Sequence, residues 1–147
     1  GINPQPNKPN KMAEVLHLKA KITQVRFVDS PATVGYGATH HVTAPVRVAT
    51  IPVGYADGFL RSLGGRAYAF VGDTYVPVIG RVSMDSITLD VSGVAEDQAR
   101  EGSNVELIGQ RRPLDIVARE AGTIGYEILT RISRRIRRVY IDRNSAV

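Results

Sequence analysis

Alternation is the strongest constraint on this chain. From Glu14 onward, Leu16, Leu18, Ala20 and Ile22 take turns with His17, Lys19, Lys21 and Thr23. That is the period-two pattern of a strand with one wet and one buried face. Short apolar, β-branched segments follow at residues 46–53, 66–71, 75–79, 82–90 and 105–108. Between two of them, Val71-Gly72-Asp73-Thr74 reads as a tight hairpin. The Gly/Pro/Thr-rich stretch 29–45 reads as loop or edge. Towards the C-terminus the period changes. Residues 113–121 fit a short helix stopped by Gly122, and Thr123 is placed to cap a second helix running to about Arg135. Residues 139–142 fit a last strand. The fold expected is mainly β, with two short helices near the C-terminal end.

A chain of 147 residues is long enough for one domain with a real core. Residues 1–11, GINPQPNKPNK, read instead as an arm, extended by its prolines. No apolar run approaches the roughly 20 residues of a membrane helix, and no signal-peptide pattern is present. Cysteine is absent, which excludes disulfides, thiol nucleophiles and thiolate metal sites and is compatible with a cytoplasmic home. The formal charge of +5 includes five arginines between Arg131 and Arg138. Ile128, Ile132 and Ile136 recur there at helical spacing, which puts the arginines on a wet face and in a last turn. No aromatic side chains are interleaved as stacking platforms, so nucleic acid is not implied. All four lysines, Lys8, Lys11, Lys19 and Lys21, fall in the first 21 residues.

Several segments place glycine and polar residues inside this β-forming chain. Val34-Gly35-Tyr36-Gly37-Ala38-Thr39 leaves a phenol accessible on a relaxed backbone. IPVGYADGFLR carries Tyr55, Asp57 and Arg61 close together, and VIGRVSMD carries Arg81, Met84 and Asp85 into a strand. Thr123-Ile124-Gly125-Tyr126-Glu127 sets a tyrosine in the first turn of a helix, where anions are attracted. Each is also an ordinary turn or capped start when taken alone.

In this order, GYGATH, IPVGYADGFLR, GRVSMD and GTIGYE resemble the successive motifs of the alanine racemase C-terminal domain. The resemblance runs from about Glu14 to Tyr140. It implies a small β-barrel-like domain (residues 13–147) following a TIM barrel, with residues 1–12 as connector. It also implies a homodimer whose active sites are shared between subunits, interconverting L- and D-alanine for peptidoglycan synthesis. The cofactor implied is pyridoxal 5'-phosphate on a Schiff-base lysine of the barrel. Racemisation needs two bases on opposite faces of the substrate, and Tyr36 matches the tyrosine base. A free phenol titrates at about 10, so such a base needs nearby positive charge or hydrogen bonds. By the same resemblance Met84 offers its N–H to the substrate carboxylate, with Asp85 beside it. Tyr126 contacts the cofactor phosphate, and Tyr55, Arg61 and Arg81 line the substrate corridor. Asp57 is placed to orient such an arginine. Gly125 stands where relatives often carry a larger polar residue, which implies a wider corridor. No lysine of this chain is placed to be desolvated as a cofactor lysine, and a complete (β/α)₈ barrel takes at least roughly 200 residues. The chain alone is therefore expected to be inactive and to hold no cofactor covalently. The competing reading is a non-catalytic β-domain binding module whose arginine-rich helix engages an acidic partner.

Overall fold

Strands form where side chains alternate between a buried and a wet face, and the computed structural model shows nine of them among the described residues. It describes residues 5, 7–9, 12–43 and 45–141. They are β1 (Leu18–Lys21), β2 (Gln24–Val28), β3 (Ala32–Val34), β4 (His40–Val42), β5 (Val46–Ile51), β6 (Tyr68–Val71), β7 (Thr74–Ile79), β8 (Ile87–Asp90) and β9 (Asn104–Ile108). Two helices follow, α1 (Leu114–Ala121) and α2 (Gly125–Arg131). Seven strands form one antiparallel sheet in the order β1-β9-β6-β7-β8-β5-β2, and β3 pairs with β4 separately.

This order forces the sheet to curl. β1 and β2 are its opposite edges, about 29 Å apart if the sheet were flat. Only Ile22 and Thr23 separate them in the chain, a path of about 10 Å. The Ile22 N–H donates to Ser103 O beside β9, and the Thr23 N–H to Thr50 O in β5, both at 2.9 Å. These two residues carry the chain from one edge to the other, and the sheet is a curled half-barrel. Its inside is the main core, with Ala49, Ile51, Leu63, Ala69, Leu89, Val105 and Leu107 nearly or wholly inaccessible. Val117, Ala118 and Ile128 bring α1 and α2 into the same core. A smaller cluster, Val34, Val42, Val46, Val48 and Ile79, seats the β3–β4 hairpin.

The expected mainly β fold with two late helices is found, and so is the Gly72-Asp73 hairpin between β6 and β7. Other expectations change. β2 was not anticipated, and part of the loop-like stretch 29–45 is paired as β3 and β4. The strand expected at 82–90 begins only at Ile87, because the Ser83 and Met84 carbonyls are taken by the N–H groups of Tyr55 and Ala56. Thr123 does not cap α2 through the backbone. Its hydroxyl bonds the Glu127 carboxylate, and Ile124 occupies the cap position. That hydroxyl and the Arg131 guanidinium hold the Glu127 carboxyl below its ordinary range. α2 stops at Arg131, since Ile132 is extended and the Ser133 N–H turns to Asp57 O. Residues 139–141 are irregular and exposed, while position 142 and most of the arm 1–11 lie outside the described residues.

Replacing Ile22, 1% exposed at the closure, by alanine should cost about 2–4 kcal/mol. Lys19→Ala on the wet face of β1 should stay within about 0.5 kcal/mol. Urea unfolding of the two variants checks the contrast.

Candidate functional site

The turn between β7 and β8 is a platform on which distant segments meet. Gly54, leading into the 3₁₀ turn Tyr55–Asp57, lies so close to it that a Cβ there would stand 2.3 Å from both the Ser83 and Met84 carbonyl oxygens. The Tyr55 and Ala56 N–H groups donate to those same oxygens at 3.0 Å. The β3–β4 hairpin approaches the other end of the platform. A Cβ on Gly35 would lie 3.1 Å from Gly80 Cα and Arg81 N, and Gly35 and Gly80 both hold positive φ, 84° and 72°. Such φ values suit residues without a Cβ.

Tyr36, at the tip of that hairpin, is 73% exposed. The Arg81 guanidinium reaches the next residue, its Nη1 3.2 Å from where a Gly37 Cβ would be. Met84 is also exposed. Its carbonyl is bonded, while among the described residues its N–H meets no acceptor. Arg61 opens the following 3₁₀ turn, Arg61–Leu63, and is exposed. Its neighbour Gly64 rests on Arg81 Cα and Val82 N. The structure therefore gathers Tyr36, Tyr55, Arg81, Met84 and Asp85 on one platform, with Arg61 at its margin. Tyr126 stands apart, 75% exposed in the first turn of α2, and no contact joins it to Tyr36 among the described residues. Gly125 does not face a corridor. It is buried, and a Cβ there would press on the Asp115 carboxylate and the Leu114 side chain of α1.

Sequence reasoning missed Arg135. Read as one of a solvated run, it instead holds two carboxylates. Its Nε and Nη2 donate to Asp57 Oδ1 (2.6 Å) and Oδ2 (3.0 Å), and Nη2 also to Asp85 Oδ1 (2.5 Å). The arginine that Asp57 orients is therefore neither Arg61 nor Arg81. Asp57 is 5% exposed, and the Gly54 N–H donates to its Oδ2 at 2.9 Å. Burial by itself raises the Asp57 pKa. The Arg135 and Gly54 hydrogen bonds and the Arg135 charge together prevail and hold it below the usual carboxylate range. Hydrogen bonds and charge from Asp57 and Asp85 in turn raise the Arg135 pKa, so the three side chains form one charge cluster. Only their presence in two separate motifs hinted at it, because partners 78 and 50 positions away leave no local pattern.

Among the described residues no lysine stands in this cluster. Lys21 donates to Gly102 O at 2.9 Å, and Lys19 lies on the exposed face of β1. Among the described residues no group of His, Cys, Asp and Glu could hold a metal ion, and no helix among them is long and apolar enough to cross a membrane.

Comparison with known proteins follows the same line. The family model for the alanine racemase C-terminal domain matches residues 15–140. The alanine racemase of Brucella ovis is 57% identical over 127 residues, covering 86% of this chain and 32% of that protein. That of Rhodospirillum rubrum is 49% identical over 140 residues, 95% of this chain and 37% of that protein. The chain thus spans about a third of the length of the curated relatives it matches. Among solved structures, alanine racemase from Bartonella henselae with covalently bound pyridoxal phosphate superposes with a TM-score of 0.90 at 35% identity. It takes in 96% of this chain and 39% of that one. Alanine racemase from Bacillus anthracis with bound L-Ala-P gives 0.87 at 32% identity, over 97% and 38%.

Gly54→Ala should displace the 83–84 carbonyls and cost roughly 1–3 kcal/mol, whereas Gly93→Ala, with open space around it, should melt close to the parent. A pH series tests the Asp57–Arg135 pair. A depressed carboxylate pKa contributes stability above the unfolded value, about 3.9, and loses it as pH falls through the folded value. The parent and Asp57→Asn should therefore differ most near neutrality and converge in acid, as urea midpoints would record.

Proposed function

This chain belongs to the alanine racemase C-terminal domain family, and from that premise we propose that it forms one wall of a pyridoxal-phosphate-dependent racemase site, acting on alanine. The observation that carries the reading is the exposed phenol of Tyr36 on a rigidly seated hairpin, beside a platform whose Met84 N–H meets no acceptor among the described residues. Such a surface offers a proton-transfer group and an anion donor but encloses neither. The described residues fit the cofactor as a wall and not as its anchor, because no lysine lies in the cluster.

Bound pyridoxal phosphate would supply the electron sink that acidifies the substrate Cα–H. Tyr36 then takes or returns the proton at its phenolic oxygen on one face of Cα, and a lysine outside this chain serves the other. The Met84 N–H receives the substrate carboxylate, with Asp85 beside it. The Tyr126 phenol contacts the cofactor phosphate and narrows the access channel. Tyr55, Arg61 and Arg81 line the approach. In this reading residues 1–12 connect to a barrel domain and residues 13–147 are the C-terminal domain. A homodimer shares its sites between subunits, Tyr36 serving the partner's, and the protein works in the cytoplasm. The chain alone is inactive. The arginine-rich segment supports a stand-alone binding module less well, since Arg135 and Arg131 are engaged within the domain.

Mixed with a separately expressed barrel half of an alanine racemase, the chain should restore racemisation. Tyr36→Phe should lower it by about 10²-fold or more. Exchange of the Cα hydrogen with D₂O should survive for one enantiomer only, because one face keeps its base. Tight oligonucleotide binding without complementation would sink the proposal, as would a lysine-bound cofactor band on adding pyridoxal phosphate to the chain alone.

A further inference from the structure

Arg135 ties the platform of the β7–β8 turn to the end of the helical segment. Its guanidinium grips the buried Asp57 with two hydrogen bonds and Asp85 with a third. Asp57 in turn holds the Gly54 N–H through its carboxylate and the Ser133 N–H through its carbonyl. Gly54 begins the turn whose N–H groups bond the Ser83 and Met84 carbonyls. Segment 131–135, turn 54–58 and platform 83–85 are thereby linked around one cation.

Charge makes this linkage matter for binding. Asp85 is half-exposed and directly follows Met84, so an unpaired carboxylate there would repel an incoming substrate carboxylate. We propose that Arg135 is a positioning residue for the substrate-carboxylate subsite, neutralising Asp85 and fixing the Met84 N–H through the Asp57 turn. It touches no reacting atom in this role. A forked guanidinium suits the task, because it satisfies two carboxylates at once where an ammonium on a flexible stem does not. This rests on the reading that the Met84 N–H receives the substrate carboxylate.

The test uses the holoenzyme of a full-length alanine racemase carrying this domain, with alanine as substrate and propionate as a carboxylate probe. Arg135→Gln should raise KM for alanine and weaken propionate about tenfold, with kcat changed less than about threefold, the signature of lost ground-state binding. Arg135→Lys keeps the charge and the fold, and should fall between parent and Gln. Adding Asp85→Asn to Arg135→Gln should recover part of the propionate affinity, because the unpaired negative charge is gone. A merely structural role would give no such recovery. Met84→Pro, which removes the N–H, separates the two claims. If it leaves KM and propionate binding unaltered, the Met84 reading and the Arg135 proposal both fall. If it weakens both while Arg135→Gln and Arg135→Lys match the parent, the Arg135 proposal alone is overturned. A fall in kcat with KM unchanged in the arginine variants would overturn it too.

Discussion

Backbone packed on backbone at the β7–β8 turn is the constraint on which the rest of this domain depends. Gly54 sits against the Ser83 and Met84 carbonyls, and Gly35 against Gly80, at separations that leave no room for a Cβ to enter without displacement. These contacts let a hairpin and a 3₁₀ turn from separate parts of the chain share one platform. The platform is firm because it lies between β7 and β8, whose inner residues Val78, Ile87 and Leu89 are locked in the core. Exposed Tyr36 and Met84 are therefore presented by rigid elements. A functional group on such a support loses little freedom when it binds, which is what a preorganised site requires.

Two arginines show how position governs the work of the same side chain. Arg112 is wholly buried. It donates to Leu107 O at 3.0 Å, pairs with Glu120 of α1, and lies over the Tyr68 ring at 4.7 Å. That set of contacts fastens α1 to the sheet. Arg135 is half-exposed instead and joins two acids beside Met84. Two other arginines of its run differ again, Arg131 pairing with Glu127 within α2 and Arg138 reaching Ile132 O. A charge run in sequence thus resolves into an intrahelical pair, a local backbone contact and a long-range clamp.

β1, β5 to β7 and β9, the hairpin at Gly72-Asp73 and the first helix were legible because their signals are local. Alternation sets a strand, a two-residue turn sets a hairpin, and Gly122 at φ 74° stops α1. The exposure of Tyr36 was legible as well, from the two glycines that flank it. Less legible were the ends of elements that tertiary bonds decide. The strand expected from position 82 starts at Ile87 because its first carbonyls are used by the Tyr55 turn. α2 stops short of Arg135 because Ser133 and Arg135 are drawn to Asp57.

The sequence by itself determined the class of fold, the family, and which residues stand on the exposed tips, since periodicity and ordered motifs are properties of neighbours along the chain. Only the tertiary structure decided that the sheet must curl, that Tyr126 stands apart from the Tyr36 platform, that Gly125 faces α1, and that Arg135 belongs to Asp57 and Asp85. The physical reason is common to these outcomes. Each depends on groups far apart in the chain, brought together when Ile22 and Thr23 carry it between the two sheet edges and the loops settle on one turn. Pairing of that kind is set by closure and packing geometry, which no local spacing encodes.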